Sequence, residues 1–226
     1  MAEVWFIRHG ESMSNAGHVV ENTATVPLTT RGQAQAIEIS KAFTTAPDLV
    51  VVTPYMRTQQ TAAPTLERFP STRREIWPLQ EFACLSFANY TNTTSLQRAP
   101  RVLSYWQRLD PDHIDGAGAE SFNMMLSRIR TGLNRLQSAP ESFIAVFAHG
   151  RIMHTLRFLL ECPQLSPREL MAALRVYVAH NEIDNGAIIR ITADARNVRL
   201  YDPDKKIFQA GFSVENTGQD DNGLSL

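Results

Sequence analysis

The chain has 226 residues, 43% of them hydrophobic, and a net charge of −1 from 22 Lys and Arg against 23 Asp and Glu. This length and composition suit one domain with a full core, and the balanced charge argues against a nucleic-acid-binding protein, which usually carries a basic excess. The two cysteines, Cys84 and Cys162, lie far apart without metal-ligand spacing, which argues against a zinc site and a disulfide framework.

The first predicted element is a strand of four apolar residues, Val4 to Ile7, that run directly into Arg8, His9 and Gly10. An unbroken apolar run indicates a strand buried on both faces, and Gly10 permits a sharp change of backbone direction at its end. Arg8 and His9 then lie at the carboxyl end of a strand, where open α/β sheets bind their ligands. The arginine at this edge suggests a site that binds an anion, and the histidine beside it suggests a nucleophile.

The position of this strand also bears on the location of the protein in the cell. The strand starts about three residues into the chain, which leaves no room for a signal peptide, and no apolar run reaches the length of a membrane span. We therefore expect a cytoplasmic protein without a membrane partner.

A polar loop over residues 13–27 and a helix follow the first strand. Thr30 and Gln33 stand three residues apart, as in a capping box, and apolar residues then recur at helical spacing. This pattern predicts a helix over residues 30–45.

The next strand and helix place a second arginine at the same edge. A β-branched run over residues 48–53 predicts a central parallel strand, and helical spacing resumes over residues 55–69. Arg57 falls in the first turn of this helix, where free backbone N–H groups and the helix dipole favour an anion. Pro64 is expected to bend or interrupt the helix.

Residues 82–118 have the weakest pattern in the sequence. A short strand over residues 74–79 precedes them, and a helix over 96–109 that carries Tyr105 and Trp106 is predicted within them. A segment inserted beside the ligand-binding edge is a candidate substrate cap. An ordered surface excursion with buried aromatic residues fits the sequence equally well.

The second half of the chain repeats the opening pattern of a strand that ends in His-Gly. Apolar residues at helical spacing predict a helix from Ser121, and the run over 143–148 predicts a strand that leads into His149 and Gly150. A helix over residues 151–161 is expected next. His149 is thereby placed at the same kind of strand end as His9.

The C-terminal part of the chain contains one more predicted helix and two strands. Residues 166–169 combine an N-cap serine, a proline at the first helical position and a capping glutamate, which predicts a helix to about residue 178. Residues 187–192 and 197–201 are typical of a hairpin or of edge strands. The polar tail over residues 216–226 is expected to be flexible.

Strands alternate with helices through most of the sequence. This order predicts an α/β fold with a mostly parallel central sheet covered by helices on both faces. We expect a single domain over residues 1–215, with 82–118 as its candidate cap insertion.

The residues that carry chemistry meet at one edge of the predicted sheet, and they are Arg8, His9, Arg57 and His149. Two guanidiniums and two imidazoles suit a dianionic phosphoryl group, because one histidine can attack phosphorus while the other groups hold the non-bridging oxygens. The sequence has neither a P-loop nor an aspartate cluster for magnesium. We therefore expect metal-independent chemistry without a cofactor.

Five segments of the chain occur in an order that points to a known family. They are Arg8-His9-Gly10-Glu11-Ser12 with Asn15, residues 28–36, Arg57 with Gln60-Thr61-Ala62, Gly118-Ala119-Glu120-Ser121, and Ala148-His149-Gly150. Together they resemble the histidine phosphatase superfamily, also called phosphoglycerate mutase-like, over about residues 3–191. The resemblance implies a three-layer α/β/α sandwich and catalysis through a phosphohistidine.

The resemblance also implies roles for individual residues. Carried over residue by residue, it makes His9 the nucleophile. Asn15 would add its side-chain amide to the phosphate site, although capping of its own loop explains this residue equally well. The implied phosphate pocket consists of Arg8, Arg57, His149 and Gly150.

Glu81 matches the proton donor of the family. Such an acid is needed because an alkoxide leaves poorly unless it is protonated, and the same carboxylate can then activate water. Many members continue with glycines after this position, whereas this chain continues with residues 82–87, Phe-Ala-Cys-Leu-Ser-Phe. Glu120 therefore stays open as the alternative donor.

These residues favour a phosphomonoesterase, similar to histidine acid phosphatases, that hydrolyses a small phosphorylated metabolite. A phosphoglycerate-type mutase uses the same pocket and stays open as an alternative. A non-catalytic phosphate-binding or protein-interaction module is the alternative from another class. The expected partner is the small phosphorylated substrate, neither nucleic acid nor a membrane is expected, and a homodimer is left open.

Overall fold

The computed structural model describes residues 1–200, apart from the side chain of Ala179. The strands are β1 (Ala2–Arg8), β2 (Leu49–Val52), β3 (Arg73–Ile76), β4 (Phe143–Ala148), β5 (Ile188–Ala193) and β6 (Val198–Leu200). They form one sheet in the order β3-β2-β4-β1-β5-β6. The pairs formed among β1 to β4 are parallel, whereas β5 pairs antiparallel with both β1 and β6. The predicted α/β fold with a mostly parallel sheet is confirmed.

Helices alternate with these strands along the chain. They are α1 (Thr30–Ala42), α2 (Met56–Arg68), α3 (Phe87–Tyr90), α4 (Ser95–Gln107), α5 (Phe122–Gln137), α6 (Gly150–Glu161) and α7 (Pro167–His180). A 3-10 turn over Thr23–Thr25, which the sequence did not predict, lies in the loop after β1.

The alternation of side chains along β1 divides the core between the two faces of the sheet. Val4 and Phe6 belong to the larger apolar cluster, which includes buried residues of α5, α6 and α7. Trp5 and Ile7 belong to the smaller cluster, together with residues of α1 and α2. Because both faces of the strand are covered, its side chains are buried on both sides, and this burial explains the unbroken apolar run.

The start and end of α1 correct two predictions. The N-cap is Thr29 rather than Thr30, and its hydroxyl accepts a hydrogen bond from the N–H of Gly32 at 3.0 Å. The helix ends at Ala42, three residues before the predicted end, because the backbone of Phe43 becomes extended there. This turn places the fully buried ring of Phe43 against Trp5, with ring centroids 4.9 Å apart.

Helix α2 continues through Pro64 without the interruption that was one of the two predicted effects, and the other, a bend, stays a prediction. Proline removes one backbone hydrogen bond from a helix. Ala62 and Thr65 beside it are fully buried, and this packing stabilises the helix in spite of the lost bond.

Residues 82–118 contain α3, which was not predicted, and α4, which occupies most of the predicted helix 96–109. Tyr105 and Trp106 of α4 are buried, and both rings contact the ring of Phe82 edge-on. Trp106 also contacts Phe122 at the start of α5. An aromatic cluster therefore joins this segment to the rest of the domain, whereas its role as a substrate cap stays a prediction.

The C-terminal strands form the predicted hairpin, with β5 inside the sheet and β6 at its edge. Tyr201, the end of the second predicted strand, and the tail over 216–226 lie outside the described residues, as does the predicted domain end at residue 215. Over residues 1–200, no helix is both long enough and apolar enough to cross a membrane.

Candidate active site

The site forms where β1, β4 and β2 end side by side. The register pairs Arg8 of β1 with Ala148 of β4, so the residues that follow them, His9 and His149, are neighbours across the sheet edge. Their rings meet edge-on with centroids 5.1 Å apart. Thr53 follows β2 and completes the row. The parallel pairing therefore brings together two histidines that are 140 positions apart in the sequence.

His9 is held in one orientation and one tautomer. Its Nδ1 lies 2.7 Å from the carbonyl oxygen of Gly10, and because a carbonyl only accepts, Nδ1 carries the proton. Its Nε2 accepts a hydrogen bond from Nε of Arg57 at 3.1 Å. Burial, with the charge of Arg57 beside it, holds the pKa of His9 well below its usual value. The ring is therefore neutral at pH 7, with a lone pair on Nε2.

His149 is fully buried behind this ring. Its Nε2 lies 2.9 Å from the hydroxyl of Thr53, and its Nδ1 has no hydrogen-bond partner among the described residues. Burial, followed by the charge of Arg57, holds the pKa of His149 well below its usual value. His149 thus offers a neutral hydrogen-bonding group, and the positive charge of the pocket comes from the arginines.

Arg57 occupies the predicted first turn of α2 and is 7% exposed. Besides its bond to His9, it donates from Nη1 to the carbonyl of Thr23 at 2.8 Å, and its guanidinium lies 4.7 Å from the ring centroid of Tyr55. Burial lowers its pKa from the ordinary arginine value. These contacts fix the side chain before any ligand binds.

Arg8 approaches the site from the end of β1. Its Nη1 donates to the carbonyl of Ile183, and its Nε is buried with no partner among the described residues. The first residue of α6, Gly150, lies against this guanidinium, since a Cβ there would be 3.4 Å from Nε. The absence of a side chain at Gly150 therefore leaves room for Arg8.

Glu81 and Glu120 are held differently, although both line the same cavity. The carboxylate of Glu81 accepts backbone N–H groups of Phe82 at 2.9 Å and of Arg151 at 3.2 Å, at the N-terminus of α6. Both oxygens of Glu120 bind Arg128, at 2.6 and 2.9 Å. The pair with Arg128 therefore occupies both oxygens of Glu120, whereas the hydrogen bonds of Glu81 come from backbone N–H groups.

Asn15 is exposed and takes part in the structure of its own loop. Its Oδ1 accepts hydrogen bonds from the N–H and the hydroxyl of Ser12, at 3.1 and 2.8 Å. These are the contacts expected of a loop-capping asparagine. The amide of Asn185 joins the loop to the site, because its Nδ2 lies 3.4 Å from Asn15 Oδ1 and donates to the carbonyl of His9 at 2.9 Å.

Two cavities adjoin at Glu81. The larger, of about 530 Å³, has Arg57, Tyr55 and Glu120 in its walls, and the smaller, of about 380 Å³, has Arg8 and Gly150. Segment 82–118 supplies walls to both. Residues shared by the two cavities are Glu81, Phe82, Cys84, Arg98 and Val102.

Sequence reasoning missed several residues of this site. Thr53 ends a strand just as His9 does, and Arg151 directly follows the His149-Gly150 motif, so position alone could have identified both. Asn185 has no such signal, because only the antiparallel pairing of β5 with β1 brings its segment to the site.

The two cysteines differ in position, because Cys84 lines both cavities and Cys162 lines neither. Both are free and partly buried, and Cys84 packs against the larger apolar cluster. Burial raises the pKa of the Cys84 thiol to about 12, so it stays protonated at neutral pH.

Comparisons with known proteins agree with this architecture. A family model described as histidine phosphatase superfamily (branch 1) matches residues 4–194. An alpha-ribazole phosphatase from Shigella flexneri superposes with a TM-score of 0.67 at 22% identity, over 88% of this chain and 94% of that one. A mycobacterial glucosyl-3-phosphoglycerate phosphatase gives a TM-score of 0.67 at 21% identity, over 88% and 97% of the two chains.

At these identities the two structures show a common fold. No curated protein sequence gave a significant match. The family model covers most of the chain, and every residue of the site described above lies within the matched range 4–194. The chain therefore belongs to the histidine phosphatase superfamily.

Proposed function

We propose that the chain is a metal-independent phosphatase that hydrolyses a small phosphorylated metabolite through a phosphohistidine on His9. The observation that carries this proposal is the arrangement of the His9 ring, which is neutral, fixed through Nδ1 and directed with Nε2 toward the Arg57 guanidinium. Family membership and the phosphatases among the similar structures support a hydrolase.

The first step forms the phosphoenzyme. The phosphoryl group binds beside Arg57 and Arg8, whose Nε–H groups turn from their present surroundings to its oxygens. The lone pair of His9 Nε2 attacks phosphorus, the ester P–O bond breaks, and Glu81 gives its proton to the leaving oxygen. The two guanidiniums supply the positive charge that stabilises the transition state, so this step requires no metal.

The second step regenerates the enzyme. The Glu81 carboxylate takes a proton from water, the water oxygen attacks phosphorus, and the P–N bond to His9 breaks. Inorganic phosphate leaves, and Glu81 is again protonated. The backbone N–H of Arg151 and that of Phe82 hold the carboxylate in place through both steps.

Trapping of the phosphoenzyme tests the nucleophile. Rapid quench with labelled p-nitrophenyl phosphate is expected to give an acid-labile, base-stable adduct, which His9→Ala abolishes. The exposed His18 of the neighbouring loop provides the matched control, and His18→Ala should retain the adduct. Label on a serine or an aspartate, or an undiminished adduct in His9→Ala, would refute the mechanism.

Analysis of the products distinguishes a phosphatase, which transfers the phosphoryl group to water, from a mutase, which moves it to another position of the substrate. A phosphatase should release inorganic phosphate without a bisphosphorylated primer, because water reaches the phosphohistidine. Incubation with 3-phosphoglycerate and analysis by phosphorus NMR measures both reactions at once. Efficient conversion to the 2-phospho isomer with little free phosphate would favour the mutase instead.

A further inference from the structure

The smaller cavity contains positive charge that the proposed hydrolysis does not use. Arg151, the second residue of α6, lies in its wall with the guanidinium 4.8 Å from the ring centroid of Trp106. Over residues 1–200, the Arg151 side chain forms neither a hydrogen bond nor a salt bridge. Because a cation removed from bulk water is costly unless an anion compensates it, this arrangement is typical of an anion-binding site.

Other polar groups around Arg151 also lack partners. His154, one turn along α6, is 4% exposed, and its Nδ1 has no partner among the described residues. The Nε of Arg8 is likewise buried and has no hydrogen-bond partner among the described residues. Burial lowers the pKa of His154 to about 3, so its ring provides hydrogen-bonding capacity and no charge. Buried polar atoms are normally satisfied, so the unpartnered Nδ1 of His154 beside the unpaired Arg151 guanidinium indicates a polar occupant of this cavity.

The balance of charge favours an anion as this occupant. Arg98 adds a third guanidinium to the cavity wall, where it is held by the carbonyl of Thr93 at 2.7 Å and stacks on Tyr90 with no acidic partner in the described chain. The acids in the wall are Glu81, which accepts two backbone N–H groups, and the exposed Glu182.

The position of the cavity relates this charge to the substrate. In the proposed mechanism Glu81 touches the leaving oxygen, and its Oε2 accepts the N–H of Arg151 at 3.2 Å. The part of the substrate attached to that oxygen therefore starts beside Arg151, at the border between the two cavities. A phosphoryl group bound at Arg8 and Arg57 leaves the Arg151 guanidinium unpaired.

We infer that Arg151, assisted by Arg98, forms a second anion-binding subsite that takes a carboxylate or a second phosphate on the leaving group of the substrate. This inference rests on the proposed phosphatase function. Both anions accept two parallel hydrogen bonds from a guanidinium, and stacking on Trp106 keeps the Arg151 plane fixed for such a pair. The substrate class is thus a phosphate ester with a further acidic group, rather than a neutral sugar or alcohol phosphate.

A series of synthetic esters tests the subsite. Alkyl phosphates with two to five carbons between the ester oxygen and a terminal carboxylate are compared with the corresponding terminal alcohols and with alkane bisphosphates. At the best length, kcat/KM for an anionic ester should exceed that for the alcohol by roughly 10- to 100-fold, the range of one hydrogen bond between charged groups. The carboxylate and bisphosphate arms show which anion is preferred.

Two variants at position 151 show whether the preference arises there. Arg151→Gln retains the backbone N–H that binds Glu81 and should remove the preference, because it raises KM for the anionic esters more than KM for the matching alcohols. Arg151→Lys should restore part of it. Arg101, an exposed residue of α4, provides the matched control, and Arg101→Gln should retain the preference.

The outcomes separate failure of the subsite from failure of the proposed function. If the wild type hydrolyses p-nitrophenyl phosphate but treats anionic and neutral esters alike at every length, the subsite is refuted and the phosphatase stands. A preference that persists in Arg151→Gln also refutes the subsite, as does an equal loss on all esters. If no phosphate ester is hydrolysed, the proposed function itself fails.

Discussion

At the scale of single residues, one hydrogen bond determines the chemistry of the site. The carbonyl of Gly10 accepts a hydrogen bond from the protonated Nδ1 of His9, which leaves the lone pair on Nε2 as the nucleophile of the proposed mechanism. Arg57 donates a hydrogen bond to that atom, so in the proposed mechanism a phosphoryl group must draw the guanidinium away before attack is possible. The proposal thereby gives Arg57 two roles, covering the nucleophile and binding the phosphate.

The assignment of the proton donor is testable through the leaving group. Glu81→Gln should slow hydrolysis of an alkyl phosphate by about 10²- to 10⁴-fold, the usual range for a positioned acid or base. Nitrophenolate needs no proton, so phosphoenzyme formation from p-nitrophenyl phosphate should be affected much less. The variant should then show a burst of nitrophenol followed by slow turnover in stopped-flow measurements.

Glu120→Gln is the matched control for this experiment. It breaks the pair with Arg128, and any loss of activity should be the same for both leaving groups. A burst and a leaving-group-dependent defect in Glu120→Gln, and not in Glu81→Gln, would place the donor at Glu120.

At the scale of elements, the loop after β1 is fixed by direct backbone contact with α1. A Cβ on Gly32 would lie 2.0 Å from the carbonyl oxygen of Glu11, and a Cβ on Gly10 would lie 2.4 Å from that of Gly32. The N–H of Gly10 also donates to the hydroxyl of Thr61 in α2 at 3.1 Å. The two helices on this face thereby hold the residue whose carbonyl orients His9.

Gly32→Ala should therefore affect both stability and catalysis. The added methyl group has to displace the backbone of Glu11, and overpacking of this kind costs about 1–3 kcal/mol. Urea denaturation measures the loss of stability, and the rate of phosphoenzyme formation should fall as His9 is displaced. Gly132→Ala in α5 is the control, because its Cβ would meet only the flexible end of Leu79 at 3.1 Å. A larger loss in Gly132→Ala than in Gly32→Ala would contradict this account.

At the scale of the whole molecule, three buried histidines couple folding to pH. Burial is the main cause of the lowered pKa of His9, His149 and His154. All three are neutral in the folded protein at pH values where the unfolded chain, with histidine pKa values near 6.5, binds protons. Unfolding then takes up protons, so stability is present above pH 6.5 and is lost as the pH falls below it.

The expected slope is about 1.4 kcal/mol per pH unit for each histidine, once the pH is well below 6.5. Denaturation curves between pH 7.5 and 5 measure it. His154→Phe, which keeps a ring against Tyr177, should reduce the slope by about one histidine, and His18→Ala should leave it unchanged because His18 is exposed. Equal slopes in His154→Phe and the wild type would show that His154 does not take part.

The sequence alone determined the fold class and placed two arginines and two histidines, Arg8, His9, Arg57 and His149, at the sheet edge. Apolar runs that end in Arg-His-Gly or His-Gly are local signals, and parallel strands bring their carboxyl ends to one edge. The family motifs were recognisable for the same reason, because each lies within a few consecutive residues.

Only the tertiary structure decided the properties that depend on distant neighbours. It placed Arg57 against Nε2 of His9, kept His149 neutral by burying it, and paired Glu120 with Arg128. It also ended α1 at Ala42, where the backbone turns and buries Phe43. Arg151 and His154 lie around a second cavity beside Glu81 only because of the tertiary fold. Burial and partners across the fold control protonation and ligand binding, and these quantities cannot be obtained from local sequence patterns.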